Sequence, residues 1–284
     1  MKISLMTFMV VIRKLIAGSI SAQDKKDYSE FLKNVKTAGI DHVDLTIMEF
    51  ASFGESYVKE VLREYDLKMS CLISGRQYAN PGTSVLEDFK WDAELAQSLD
   101  CKIVMAVPFG YETQNASRAE FGLQLKRSFS EVADYADRQG LIIVIEDDPH
   151  LDLPMCSAAE LTDLLAAAPN LRMVFDTANM VLAGENPLEY YQQFKSKIKH
   201  MHIKDIMTIT DPDSYGDLGV DGLKYTAVKF GEGVIDLKGL LPVIEKDGFD
   251  GFGALEFVPK DGVPSVGEIK RELEFVLDLR LTAE

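Results

Sequence analysis

Cysteine is scarce. The chain has three, Cys71, Cys101 and Cys156, and they are widely separated. That number and spacing exclude a disulfide framework and a thiolate zinc motif. Cys71 and Cys101 lie inside apolar runs, where a small buried thiol is ordinary, and a reducing cytoplasm fits this usage. Basic residues are outnumbered, with 30 Lys and Arg against 46 Asp and Glu, a net charge of −16. Phosphate recognition needs concentrated cations, so nucleic acid is a poor partner, and an anionic membrane surface gains no support. No apolar run reaches the ~18 residues needed to cross a membrane. The opening MKISLMTFMVV with SISAQ after it has a faint signal-peptide character. Arg13 and Lys14 follow the apolar stretch, however, and Lys2 is the only charge before it, so a strand is the preferred reading.

What is present is alternation. Short apolar runs cover Ile3–Val11, His42–Ile47, Leu67–Ile73, Lys102–Val107, Leu141–Ile145, Leu171–Phe175, Ile198–Ile203 and Phe252–Phe257. Segments of helical period lie between and after them, near Asp24–Ala38, Glu55–Tyr65, Ser84–Leu99, Ser117–Gln139, Ser157–Ala168, Pro187–Phe194, Leu237–Lys246 and Val266–Leu279. Strands alternating with helices imply parallel pairing. Eight such units predict one α/β domain over residues 1–284, a single (β/α)8 TIM barrel. An open doubly wound sheet usually carries a glycine-rich phosphate turn after its first strand, and none follows Val11. The strand-end loops 74–82 and 206–230 are expected to cover the barrel mouth; the polar stretch Met207–Phe230 is long for a loop.

Four potential metal ligands close the last four apolar runs: Glu146 after LIIVI, Asp176 after LRMVF, His202 in KHMHIKD and Glu256 after FGAL. A single strand-ending acid is ordinarily a helix cap or a lysine partner. Asp176 could cap with Thr177, and Glu256 could pair with Lys260. Four on contiguous strands would face one another at one rim, and a divalent cation relieves their repulsion. Three carboxylates and one imidazole suit Mn²⁺ best, with Mg²⁺ or Co²⁺ as alternatives, rather than structural zinc.

The stretch FDTANMVLAGENPLEYYQQFKSKIKHMHIKD, with FGEGVID and GFDGFGALEF, resembles the sugar phosphate isomerase/epimerase family. That family has the xylose-isomerase-like barrel and includes the ketose 3-epimerases. The likeness is clearest over about residues 130–258. It implies that Glu146, Asp176, His202 and Glu256 bind one divalent metal, and that Glu146 and Glu256 also move protons. The implied reaction is isomerisation or epimerisation of a small-molecule sugar or polyol ketone through an enediolate. Self-association is expected only by analogy. Many ketose epimerases have His where Asn179 stands, and an Arg where Lys204 and Asp205 are the nearest charges, so no particular sugar is implied.

Asn179, His150, Lys204, Phe8 and Phe109 are the expected substrate contacts. His200 is expected to face the outer helices, away from His202. GEG at 231–233 reads as a turn rather than a phosphate motif. Four histidines are too few for a trinuclear zinc nuclease on such a fold. Two other readings stay open: a lyase of the same fold, such as a dehydratase or deglycosidase acting on a keto-sugar, and a non-catalytic sugar-binding or partner subunit.

Overall fold

The computed structural model describes residues 1–16, 19–111, 115–148, 150–211, 216–259 and 262–281. Eight parallel strands close the barrel. In chain order they are β1 (Lys2–Met6), β2 (His42–Thr46), β3 (Lys68–Arg76), β4 (Ile103–Pro108), β5 (Ile142–Ile145), β6 (Arg172–Asp176), β7 (Ile198–Ile203) and, after three strands outside the barrel, β11 (Phe252–Leu255). The strand β11 pairs with β7 on one side and with β1 on the other, which closes the ring. The barrel is the expected (β/α)8 architecture.

Strand alternation divides the apolar residues into two sets. One faces the helices and forms the main core. The other fills the barrel interior with Met6, Cys71, Ile73, Met105, Val144, Val174 and Ala254. The helices begin where the sequence caps them. Ser21, Ser117 and Ser157 each form a capping box, with Asp24, Glu120 and Glu160, before α2 (Ala22–Thr37), α6 (Arg118–Arg138) and α7 (Ala158–Ala167). Asn186 caps α9 (Pro187–Phe194), and proline opens it.

Three local expectations change. The first apolar run was expected to stay extended to Val11, but β1 ends at Met6 and α1 (Phe8–Ile16) follows. The amides of Val10 and Val11 bond to the Thr7 carbonyl, and Val11 and Leu15, one helical turn apart, are buried. An unbroken apolar run fits a buried helix as well as a strand. The third strand runs on to Arg76, and Tyr78, Ala79 and Asn80 just beyond it are buried, so much of 74–82 is packed down. Within 206–230 lies a separate three-stranded sheet: β8 (Asp205–Ile209), β9 (Asp217–Leu218) and β10 (Lys224–Val228), in the order β8-β10-β9 with antiparallel pairing. Only Lys204 separates β7 from β8. No helix among the described residues is long and apolar enough to cross a membrane.

Candidate metal centre

Glu146 directly follows β5, Asp176 ends β6, His202 is the next-to-last residue of β7, and Glu256 directly follows β11. Register brings them together. Asp176 and His202 are paired across β6 and β7, and the Glu256 amide bonds to the Ile203 carbonyl at 2.9 Å. One ligand atom from each of the four lies within 4.8 Å of the others. Asp176 and His202 are fully buried and Glu256 nearly so, while Glu146 keeps 15% of its side chain exposed toward the mouth.

The hydrogen bonds leave specific atoms over. Asp176 Oδ1 accepts the amides of Ala178 and Asn179, each at 2.7 Å, but its Oδ2 has no hydrogen-bond partner. Glu256 Oε1 takes the Lys204 ammonium at 2.8 Å, while its buried Oε2 has no hydrogen-bond partner. Buried unpaired carboxylate oxygens are costly. Two such oxygens beside a histidine nitrogen and a further carboxylate fit a cation, and four N/O donors form a hard divalent site. His202 Nδ1 meets Glu146 Oε1 at 2.5 Å and lies 3.6 Å from Glu256 Oε2.

Electrostatics follow from burial and neighbours. Burial, with the charges of Glu256 and Glu146 against Lys204, pushes the Asp176 carboxyl up to about 7. Burial would raise Glu256 as well, but Lys204 and His202 outweigh it and hold its carboxyl below the usual range. For His202, burial favours the neutral ring, and Glu146 and Asp44 override it, so the imidazole holds its proton well above the ordinary range. Lys204 is likewise raised, because Glu256, Asp176 and Glu146 outweigh its burial.

The expected substrate contacts separate into two groups. Asn179 and Lys204 sit at the cluster. Lys204 Nζ is 3.2 Å from Asn179 Oδ1 and 3.9 Å from Asp176 Oδ2, and the Asn179 amide group donates to the Asp147 carbonyl at 3.1 Å. Thr177 ties the strand tips, since its hydroxyl bonds to both the carbonyl and the amide of Lys204. Phe8 is half-buried at the start of α1 and packs on the barrel-interior cluster. Phe109 is half-buried just past β4 and lies over Gly75, where a Cβ would come within 2.7 Å of the ring. His150 stands apart, more than half exposed, with Nδ1 2.8 Å from Asp148 and Nε2 4.0 Å from Asp217 of β9. Lys260 lies outside the described residues.

His200 does not face the helices. Residues two apart on a strand share a face, so His200 points into the barrel with His202. Its Nε2 lies 2.5 Å from Asp44 Oδ2. Asp44, inside β2, escaped the sequence reading, although an acid in HVDLT was the same kind of signal as the strand-ending acids. Asp147 escaped too. It is buried, neither carboxylate oxygen has a hydrogen-bond partner, and burial with Asp176 and Glu146 nearby raises it well above the usual range. The amides of Gly231 and Gly233 bond to Asp205 Oδ2 at 2.8 and 3.0 Å, so that turn is occupied by the protein's own carboxylate.

The sequence signature described as "Xylose isomerase-like TIM barrel" matches residues 32–279, and the chain belongs to that family. An inosose dehydratase of Lacticaseibacillus casei is 28% identical over 140 residues, 47% of this chain and 46% of that protein. A fructoselysine 3-epimerase of Shigella flexneri is 25% identical over 138 residues, 48% and 45% of the two chains. The chain thus spans about half the length of the curated relatives it matches. A crystal structure of the IOLI protein with a bound zinc atom has a TM-score of 0.74 at 19% identity, covering 100% of this chain and 99% of that one, a likeness of fold.

Proposed function

We propose that this chain is a divalent-metal-dependent isomerase or epimerase that moves a proton next to the carbonyl of a sugar or polyol ketone. The observation that carries it is the convergence of Glu146, Asp176, His202 and Glu256 at one site, where one oxygen each of Asp176 and Glu256 is left without a hydrogen-bond partner. Manganese suits this oxygen-rich set best, with magnesium or cobalt as alternatives. The bound cation would polarise the substrate carbonyl and hold the negative charge that develops as the proton leaves.

The chain's own residues do the rest. Asp176 and His202 hold the ion, and their burial keeps water from competing. Glu256 is charged through its bond to Lys204 and is ready to accept a proton. Glu146, at the more open side, is the second proton carrier, so the proton can return from another direction. Lys204 and Asn179 hold substrate oxygens. Phe8 and Phe109 offer half-buried rings to a carbon skeleton, and His150 contacts substrate from its loop. The proposed covers of the mouth are the segment 206–230, which leaves the barrel just after Lys204, and the loop 74–82. The chain works in the cytoplasm, with a small molecule as its partner, and a homo-oligomer is proposed only by analogy.

The similarity to inosose dehydratases supports a second reading, in which the same proton removal is followed by loss of water. Metal-loaded protein incubated in D₂O with ketoses, inososes and keto-glycosides separates the two. Deuterium uptake beside the carbonyl without loss of a group is the expected result, and elimination would establish the lyase. Glu146→Gln and Glu256→Gln should each lower exchange by at least ~100-fold. Unchanged function in both variants, without metal uptake, would identify a binding subunit instead.

A further inference from the structure

Beneath the candidate metal centre, the apolar barrel interior carries a buried carboxylate. Asp44 of β2 is fully buried, as are Ser4 of β1 and His200 of β7, and Ser70 of β3 nearly so. Ser70 and Ser4 donate to Asp44 Oδ1 at 2.5 and 3.3 Å. The other oxygen, Oδ2, takes His200 Nε2 at 2.5 Å and lies 3.5 Å from His202 Nε2. Four strands thus converge on one carboxylate, and that carboxylate reaches the back of His202. Such a group costs stability in an apolar interior unless each polar atom is partnered. It touches no substrate-facing surface, and the reaction proposed above does not use it.

We propose that Asp44 and His200 are positioning residues for His202. The buried His202 Nε2 has no formed hydrogen bond, and Asp44 Oδ2, 3.5 Å away, is the acceptor assigned to its hydrogen, which leaves the Nδ1 lone pair directed at Glu146, Asp176 and Glu256. His200 holds the same Asp44 oxygen from the layer below and fixes its orientation. A carboxylate behind a ligating histidine sets both ring angle and tautomer, and its loss typically weakens metal binding by 10- to 100-fold. The inference rests on the metal-site reading, but not on which reaction follows.

Calorimetric titration with Mn²⁺ tests it. Asp44→Asn should bind Mn²⁺ about 10- to 100-fold more weakly than wild type. Ser70→Ala, which removes a bond only to the opposite oxygen, should bind close to wild type. Affinity of Asp44→Asn within twofold of wild type would overturn the proposal. So would two ions per chain with the second lost in Asp44→Asn, because Asp44 would then be a ligand. A measurement on wild type does not depend on how the variants fold. In the Zn²⁺-loaded protein, nitrogen-15 NMR should show His202 protonated at Nε2 and metal-bound at Nδ1, and the reverse would overturn the proposal. Weakened Mn²⁺ binding in Asp44→Asn, in a protein that exchanges no substrate hydrogen, would leave the positioning role standing and remove the proposed reaction. Wild-type protein that takes up no metal would remove both.

Discussion

At the scale of single residues, the candidate centre stores protons that a bound metal would have to displace. Asp176 is pushed up to about 7 by burial and by its acidic neighbours, and His202 holds its proton well above the ordinary range. Both must be deprotonated to bind a cation. Metal affinity should therefore rise with pH through 7, roughly tenfold per pH unit for each proton displaced. Titrations in two buffers of different ionisation enthalpy would count the protons released. Glu49 illustrates the same physics away from the site. It is fully buried, accepts the Thr7 hydroxyl and the Thr46 amide, and burial raises its carboxyl from 4.5 to about 7. Between those values the unfolded chain gives up its proton first, so stability falls as pH rises. The loss should be roughly 3 kcal/mol and complete above pH 7. Glu49→Gln, neutral throughout, should flatten that part of a denaturation-against-pH curve. The four strand-ending residues that converge were readable because a polar residue at the end of an apolar run is conspicuous. Asp44 was harder to see, because its serine and histidine partners come from β1, β3 and β7, and only closure of the barrel brings them together.

At the scale of elements, the helices opened by Ser21, Ser117, Ser157 and Pro187 were placed closely from sequence, whereas the short helix Ile47–Phe53, capped by Thr46 with Glu49, was not foreseen. Misreadings occurred where local pattern was ambiguous. An apolar run continued from β1 into α1, and a polar stretch concealed β8, β9 and β10, whose pairing is with one another rather than with the barrel. The insert is fastened by Asp205. Its carboxylate is buried and accepts the amides of Ile206, Gly231, Gly233 and Ile235. Gly233 is required there, because a Cβ would come within 2.1 Å of Asp205 and 2.3 Å of the Ile206 carbonyl. Asp205→Ala should cost on the order of 3 kcal/mol, since several charge-assisted hydrogen bonds go at once. Gly233→Ala should be destabilising too. Urea denaturation measures both.

At the scale of the whole molecule, the barrel mouth has two unlike halves. Strands β5, β6, β7 and β11 supply charge, while Phe8 and Phe109, after β1 and β4, supply apolar surface. The eight-unit count made the barrel predictable, and contiguity of the last strands placed the ligands on one arc. The layering inside the barrel depends on register, which the sequence does not display. Three carboxylates meeting at one place repel one another, and a bound cation would relieve what Lys204 and His202 leave uncompensated. Saturating Mn²⁺ at about 100 times its dissociation constant should add about 2.7 kcal/mol, raising the melting midpoint by roughly 5 °C relative to protein in EDTA. An unchanged midpoint would exclude tight binding.

The knot at Asp205 has a consequence for how such a protein can be altered. The chain leaves the barrel at Lys204 and is tied back through Gly231, Gly233 and Ile235 to Asp205, the next residue. What lies between is a cassette with a closed seam. A graft that keeps Asp205 and Gly233 can change the length and chemistry of that segment while the strand bearing His202 keeps its place. That segment can then be exchanged in one piece, without rebuilding the strands that carry the candidate centre.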